Sequence, residues 1–115
     1  MTTKPGQDPL LLRRLLRAKD RMDSAPSEEW PVPRLARVSG VSEAHFARSF
    51  RDAFGVPPHR YLLTRRIERA KALLRDTDLP ITEIAEQVGC ASHSHLSVVF
   101  HRETGVTPRD FRRQA

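Results

Sequence analysis

Residues 84–112 read IAEQVGCASHSHLSVVFHRETGVTPRDFR. A short apolar-periodic segment is followed by Gly89, a serine-led longer segment and a Gly-Val-Thr-Pro stop. That order predicts a short helix, a tight turn at Gly89, a longer helix and its termination at Gly105. The same grammar stands earlier, in residues 35–62: LARVSGVSEAHFARSFRDAFGVPPHRYL. A shift of fifty residues superposes Ser42 on Ser92, His45 on His95, Phe50 on Phe100, Gly55 on Gly105, Val56 on Val106 and Pro58 on Pro108. A shift of forty-nine superposes Ala36 on Ala85 and Gly40 on Gly89. The second copy therefore carries one extra residue between its turn and its second helix. A repeated helix–turn–helix is the organising fact of the chain.

The chain has 115 residues, enough for one modest core or for two small cores sharing a helix. Lysine and arginine number 20 against 14 acids, a net charge of +6. Such a balance favours an anionic partner, nucleic acid or a membrane surface. The single cysteine, Cys90, excludes an intrachain disulfide framework and fits a reducing compartment. No apolar run approaches the length of a membrane span. The first residues, MTTKPGQDP, are polar and lack the apolar core of a signal peptide. The expectation is a soluble, cytoplasmic protein.

The periodicities predict an all-α fold of seven helices. Residues 1–8 are expected to be a flexible N-terminus. Asp8-Pro9 caps and opens a first helix over residues 10–22, with Leu11, Leu12, Leu15, Leu16 and Met22 as its apolar stripe. Residues 24–31, with two prolines and acids, read as a loop. Helix two runs over 33–39 and helix three from its cap Ser42 to Phe54. Helix four starts at Pro57-Pro58 and reaches Arg75, with Tyr61, Leu62, Ile67, Ala70, Leu73 and Leu74 inward. Helices five and six cover 81–88 and 92–104. Thr107-Pro108 opens a last short helix in which Phe111 packs. The expected organisation is a first helix–turn–helix subdomain over 9–57, a connector helix over 58–76 and a second subdomain over 77–115.

In helix three, Phe46, Phe50 and Phe54 recur every four residues and can pack on Leu35, Ala36 and Val38 of helix two. The remaining face carries Glu43, Ala44, Ala47, Arg48 and Arg51. Helix six repeats the plan, with Leu96, Val99 and Phe100 inward and Ser94, Ser97, Val98 and His101 outward. A helix held along one side and exposed along the other fits the major groove of B-DNA. Arg48 can donate two parallel hydrogen bonds to guanine, while Ala44 and Ala47 can meet thymine methyls. Backbone N–H groups at helix starts, serine hydroxyls, Arg51 and Arg102 suit phosphates. The connector rises roughly 25 Å, against about 34 Å between successive major-groove faces. Two readers in consecutive grooves of one duplex face are the expectation. Residues 58–75 hold six basic side chains and one acid, a surplus that can also face phosphates.

These residues resemble the DNA-binding domain of the AraC/XylS family of bacterial transcription regulators. The family pattern in the second half is I-A-x-x-x-G-F-x-S-x-S-Y-F-x-R-x-F-K-K-x-x-G-x-T-P-x-x-Y-R. Here it stands as Ile84, Ala85, Gly89, Ser92, Ser94, Phe100, Arg102, Gly105, Thr107, Pro108, Phe111 and Arg112. The connector matches through Tyr61-Leu62, Arg66, Ala70 and Leu73-Leu74. The resemblance covers roughly residues 10–113 and implies two helix–turn–helix units on a long helix, reading an asymmetric promoter site. Its base-reading positions fall at Ala44, Ala47 and Arg48, and at Ser94, His95 and Val98. With Glu43 and His93 these are the base-reading candidates. The phosphate candidates are Ser42, Arg51, Arg66, Ser92, His101 and Arg102. The resemblance further implies double-stranded DNA as partner, contact with RNA polymerase, a companion effector domain if the chain is part of a longer regulator, and a place at the bacterial nucleoid in the cytoplasm. Five positions depart from the pattern: Cys90 replaces the aromatic after the turn glycine, His95-Leu96 the Tyr-Phe pair, Val98 a basic residue and His101 a lysine. Val98 removes a donor, leaving at most a thymine-methyl contact.

Other readings are weaker. Cys90, His93, His95 and His101 match no established zinc spacing, so neither a metal nor another cofactor is expected. Cys90 has no neighbour in sequence to lower its pKa and reads as a packed, inert thiol. The LLLRRLLR run can be a membrane-surface helix, but its stripe is explained by packing on the first half, and no membrane partner is expected. His45 and His95 occupy equivalent repeat positions, which suits structural or backbone contacts. No paired carboxylates, Ser–His–Asp set or phosphate loop supports an enzyme. The alternative is a helical protein-interaction module that has lost DNA reading, motivated by the donor-poor helix six.

Overall fold

The computed structural model describes residues 8–115 and contains seven α-helices among them. They are α1 (Pro9–Ser24), α2 (Val32–Ser39), α3 (Glu43–Phe54), α4 (Pro58–Asp76), α5 (Ile81–Gln87), α6 (His93–Thr104) and α7 (Pro108–Gln114). The expected flexibility of residues 1–8 concerns residues that, Asp8 apart, lie outside the described ones. The chain divides into two compact units, Met1–Leu63 and Thr64–Ala115, with the division falling inside α4.

The helix ends follow local chemistry. Asp8 accepts the Leu10 N–H at 3.0 Å with Pro9 in the first helical position. Ser42, Ser92 and Thr107 cap α3, α6 and α7 by accepting the N–H three residues on. Each such cap satisfies a donor that the helix cannot. Gly40 and Gly89 take left-handed φ of 71° and 86° where the short helices stop, a conformation that costs glycine nothing.

The first unit is built on α1, α2, α3 and the start of α4. Leu11, Leu15, Ala18 and Met22 line the buried face of α1 and join Leu35, Ala36, Phe46, Phe50 and Leu62. One sequence expectation needs correcting here, and one core residue carries no sequence signal. Leu16 is 39% exposed, because spacings of four, three and four residues from Leu11 to Met22 define a narrower stripe that includes Ala18 and leaves Leu16 to one side. The loop of residues 24–31 delivers Trp30 into the core, which its prolines and acids hid. Trp30 Nε1 donates to the Ala25 carbonyl at 2.9 Å, and the Arg34 guanidinium lies 3.8 Å over its ring. The Tyr61 hydroxyl donates to Asp23, and Lys19 sits 3.6 Å from the same carboxylate, fastening α1 to the start of α4. Burial, then the Asp23 bond, push the Tyr61 phenol above its ordinary value.

The second unit repeats the scheme with Ile84, Ala85, Val88, Leu96, Val99 and Phe100 buried. Phe111 of α7 meets Phe100 edge-on at 5.5 Å. Arg112 donates to the carbonyls of Leu74 and Thr77 at 3.1 and 3.2 Å, so α7 caps the end of α4.

At two buried positions the first copy is polar where the second is apolar. Ser39 and Ser49 are buried, and neither hydroxyl has a hydrogen-bond partner. Their repeat counterparts, Val88 and Val99, are buried apolar side chains. A buried hydroxyl without a partner loses its hydration for nothing. Ser49→Ala should therefore raise the stability of the first unit by about 1 kcal/mol in urea unfolding. A loss of stability would show that the hydroxyl has a partner after all.

Candidate nucleic-acid interface

The outer face of α3 is set by what its inner face buries. With Phe46, Ser49 and Phe50 inside, Glu43, Ala44, Arg48 and Arg51 are exposed and Ala47 is half-buried. Ala44, Arg48 and Arg51 fall four and three residues apart and form one strip. That strip lines a concavity of about 610 Å³ together with Val32 at the start of α2 and Pro57, Pro58 and His59 at the start of α4. The cationic strip is therefore flanked by the N-terminal ends of two helices, whose partial positive charge attracts anions. A duplex strand, with phosphates outside and base edges within, has the shape and charge for such a surface.

In α6 the inner residues are Leu96, Val99 and Phe100, and His93, Ser94, His95, Val98, His101 and Arg102 are exposed. Val98, 63% exposed, stands where Arg48 stands in α3. Arg102 stands at the position of Asp52, one residue beyond the counterpart of Arg51. The second unit thus carries its strong cation farther along the helix. Ser92 and His93 lie at the edge of a second concavity, of about 500 Å³, beside Gly89 and Cys90.

The remaining candidates take specific places. Ser42 and Ser92 are exposed caps whose oxygens already accept a backbone N–H. Arg66 is half-buried, and its charge reaches Cys90, where it partly offsets the effect of burial that raises the thiol above its ordinary value. Cys90 is a protonated, buried thiol at neutral pH. The His95 ring, one of the base-reading candidates, turns back to the backbone: its Nδ1 accepts the Ala91 N–H at 3.2 Å. Spacing alone does not announce that bond, although the extra residue before Ser92 was its visible trace.

Two capped helix–turn–helix units, each with an exposed second helix, define a tandem helix–turn–helix protein. A family model for a helix-turn-helix domain matches residues 35–114. The activator RclR of Escherichia coli, described as an RCS-specific HTH-type transcriptional activator, is 38% identical over 103 residues, covering 90% of this chain and 36% of that protein. A putative AraC-like transcription regulator of Streptomyces antibioticus is 39% identical over 88 residues, covering 76% of this chain and 29% of that protein. The chain thus spans about a third of the length of these curated relatives. Among solved structures, an AraC-type regulator from Chromobacterium violaceum matches with a TM-score of 0.83 at 30% identity, covering 90% of this chain and 92% of that one. The DNA-binding domain of AdpA, solved in complex with a target DNA, matches with a TM-score of 0.83 at 29% identity over 88% of this chain and 91% of that one. This chain belongs to the AraC/XylS family of helix–turn–helix transcription regulators.

Proposed function

We propose that the chain is the sequence-specific, double-stranded DNA-binding part of a bacterial transcription regulator, with α3 and α6 each lying in a major groove and the two grooves successive. The observation that carries this reading is the exposed strip Ala44–Arg48–Arg51 on a serine-capped helix whose opposite face is locked by phenylalanines. Guanine recognition falls to Arg48, and thymine-methyl contact to Ala44 and Ala47. Glu43 and, in α6, His93, Ser94, His95 and Val98 complete the base-facing set. Phosphate contact falls to Ser42, Arg51, Arg66, Ser92, His101 and Arg102, and the net charge of +6 favours it. A companion effector domain, contact with RNA polymerase, and action in the cytoplasm at the nucleoid belong to the same proposal. The greater length of the relatives supports the companion domain, and their names as transcription regulators fit action on promoter DNA. No helix among the described residues is long and apolar enough to cross a membrane.

Selection of binding sites from a random duplex pool tests the reading. The expected result is a bipartite motif with half-sites about ten base pairs apart. Binding without sequence preference, abolished by modest salt, would favour a second reading, a protein-interaction module. The exposed Val98, where a basic reader is usual, is the observation behind that alternative.

A further inference from the structure

The two helix–turn–helix turns differ by one residue, and the structure shows what that residue does. After Gly40, the Val41 N–H donates to the Ala36 carbonyl at 3.2 Å, and Ser42 caps α3. After Gly89, the Cys90 N–H donates to the Ala85 carbonyl at 2.9 Å, and Ser92 caps α6. Cys90 therefore takes the part of Val41, and Ala91 is the added residue. Its N–H has no counterpart in the first turn, and His95 Nδ1 meets it at 3.2 Å.

An imidazole nitrogen that accepts a hydrogen bond carries no hydrogen, so the neutral ring holds its proton on Nε2. The bond also fixes the ring's rotation at an exposed position in the first turn of α6. His95, Val98 and Arg102 lie three and four residues apart and share one strip of that helix. The other candidates on α6 are less selective. Val98 has no polar group. The Ser94 hydroxyl donates or accepts as required and so suits more than one base. His93, without a bond like that of His95, is free to exchange tautomers.

We infer that His95 is the discriminating donor of the second unit, with its Nε2–H held outward by the Ala91 amide to meet a base acceptor in the major groove. This rests on the proposed placement of α6 in that groove. A fixed donor favours guanine, whose N7 and O6 acceptors lie side by side, and disfavours cytosine, whose edge presents an amino donor. The added residue thus supplies, through tautomer control, some of the selectivity that Val98 removes.

Two substitutions separate the two ring nitrogens. His95→Asn keeps an acceptor near Nδ1 but has no donor at the Nε2 position. His95→Gln keeps a donor near Nε2 and loses the acceptor. Both are compared with wild type by thermal melting and by site selection from a random duplex pool. His95→Asn should melt near the wild-type temperature and lose about three- to tenfold preference at one base pair of the second half-site, the value of one neutral hydrogen bond. His95→Gln should melt lower and lose part of that preference, because its amide, no longer held by the Ala91 N–H, presents either a donor or an acceptor. Full retention would overturn the control by Ala91. An Asn variant with an unchanged motif would overturn the inference. So would a uniform loss of affinity for all sequences in both variants, which would make His95 a phosphate contact or a purely structural residue. If wild type itself enriches no motif, the placement of α6 fails, and this inference with it. An enriched wild-type motif that neither variant alters overturns the inference alone.

Discussion

Replacing Phe50 with alanine should destabilise the first unit by about 3–5 kcal/mol. Phe50 is fully buried at the centre of an aromatic cluster. Its ring lies 5.6 Å from Phe46, 4.6 Å from Phe54 and 5.9 Å from Tyr61, the last two edge-on. Those contacts bind α3 to itself and to the start of α4. Truncation removes the transfer free energy of the ring and leaves a cavity that rigid helices close only in part. Trp30, the only tryptophan, is buried in the same cluster of residues, so its fluorescence reports this unit. The expected result is a urea midpoint for the tryptophan signal far below wild type, or its native emission lost without denaturant. An unchanged midpoint would mean that Phe50 is not the centre of this core.

Arg48→Ala should weaken binding to the selected site by about 1–3 kcal/mol and relax preference at one base pair. The arginine is exposed on α3 and lines the concavity that also receives Ala44, Ala47 and His59. It makes no contribution to the buried cluster, so folding should be unaffected and the loss confined to binding. A phosphate contact behaves differently: its removal lowers affinity for every sequence alike and flattens the salt dependence. Competition between the selected site and single-base variants of it, at two salt concentrations, separates these outcomes. If affinity and preference both survive, α3 does not lie in the groove as proposed.

These two residues were legible for different reasons. Phe50 announces itself by recurrence, at four residues from Phe46 and from Phe54 and at fifty from Phe100. Arg48 is identified by subtraction, as what remains outside once the phenylalanines are turned inward. Trp30 was missed because the residues around it carry turn chemistry, and nothing in local composition says that such a loop folds its one large side chain back onto α1 and α2. Leu16 was misplaced because four leucines in a row of six allow several stripes, and only the neighbouring helices select one. The Lys19–Asp23–Tyr61 cluster joins residues 38 apart, beyond any periodicity argument.

The sequence by itself determined the repeat, the seven helices and the places where they start and stop. Those features depend on interactions within a few residues: a serine oxygen on the N–H three positions on, or a glycine at positive φ. Tertiary structure decided which side chains those helices bury, where the core hydroxyls of Ser39 and Ser49 are left without partners, and how the His95 ring is held. In each case the free energy depends on which atoms surround a side chain. His95 shows the boundary well. The extra residue in the second turn is plain in the sequence, but its consequence is not. The reason is that a hydrogen bond depends on direction and distance as well as on residue type.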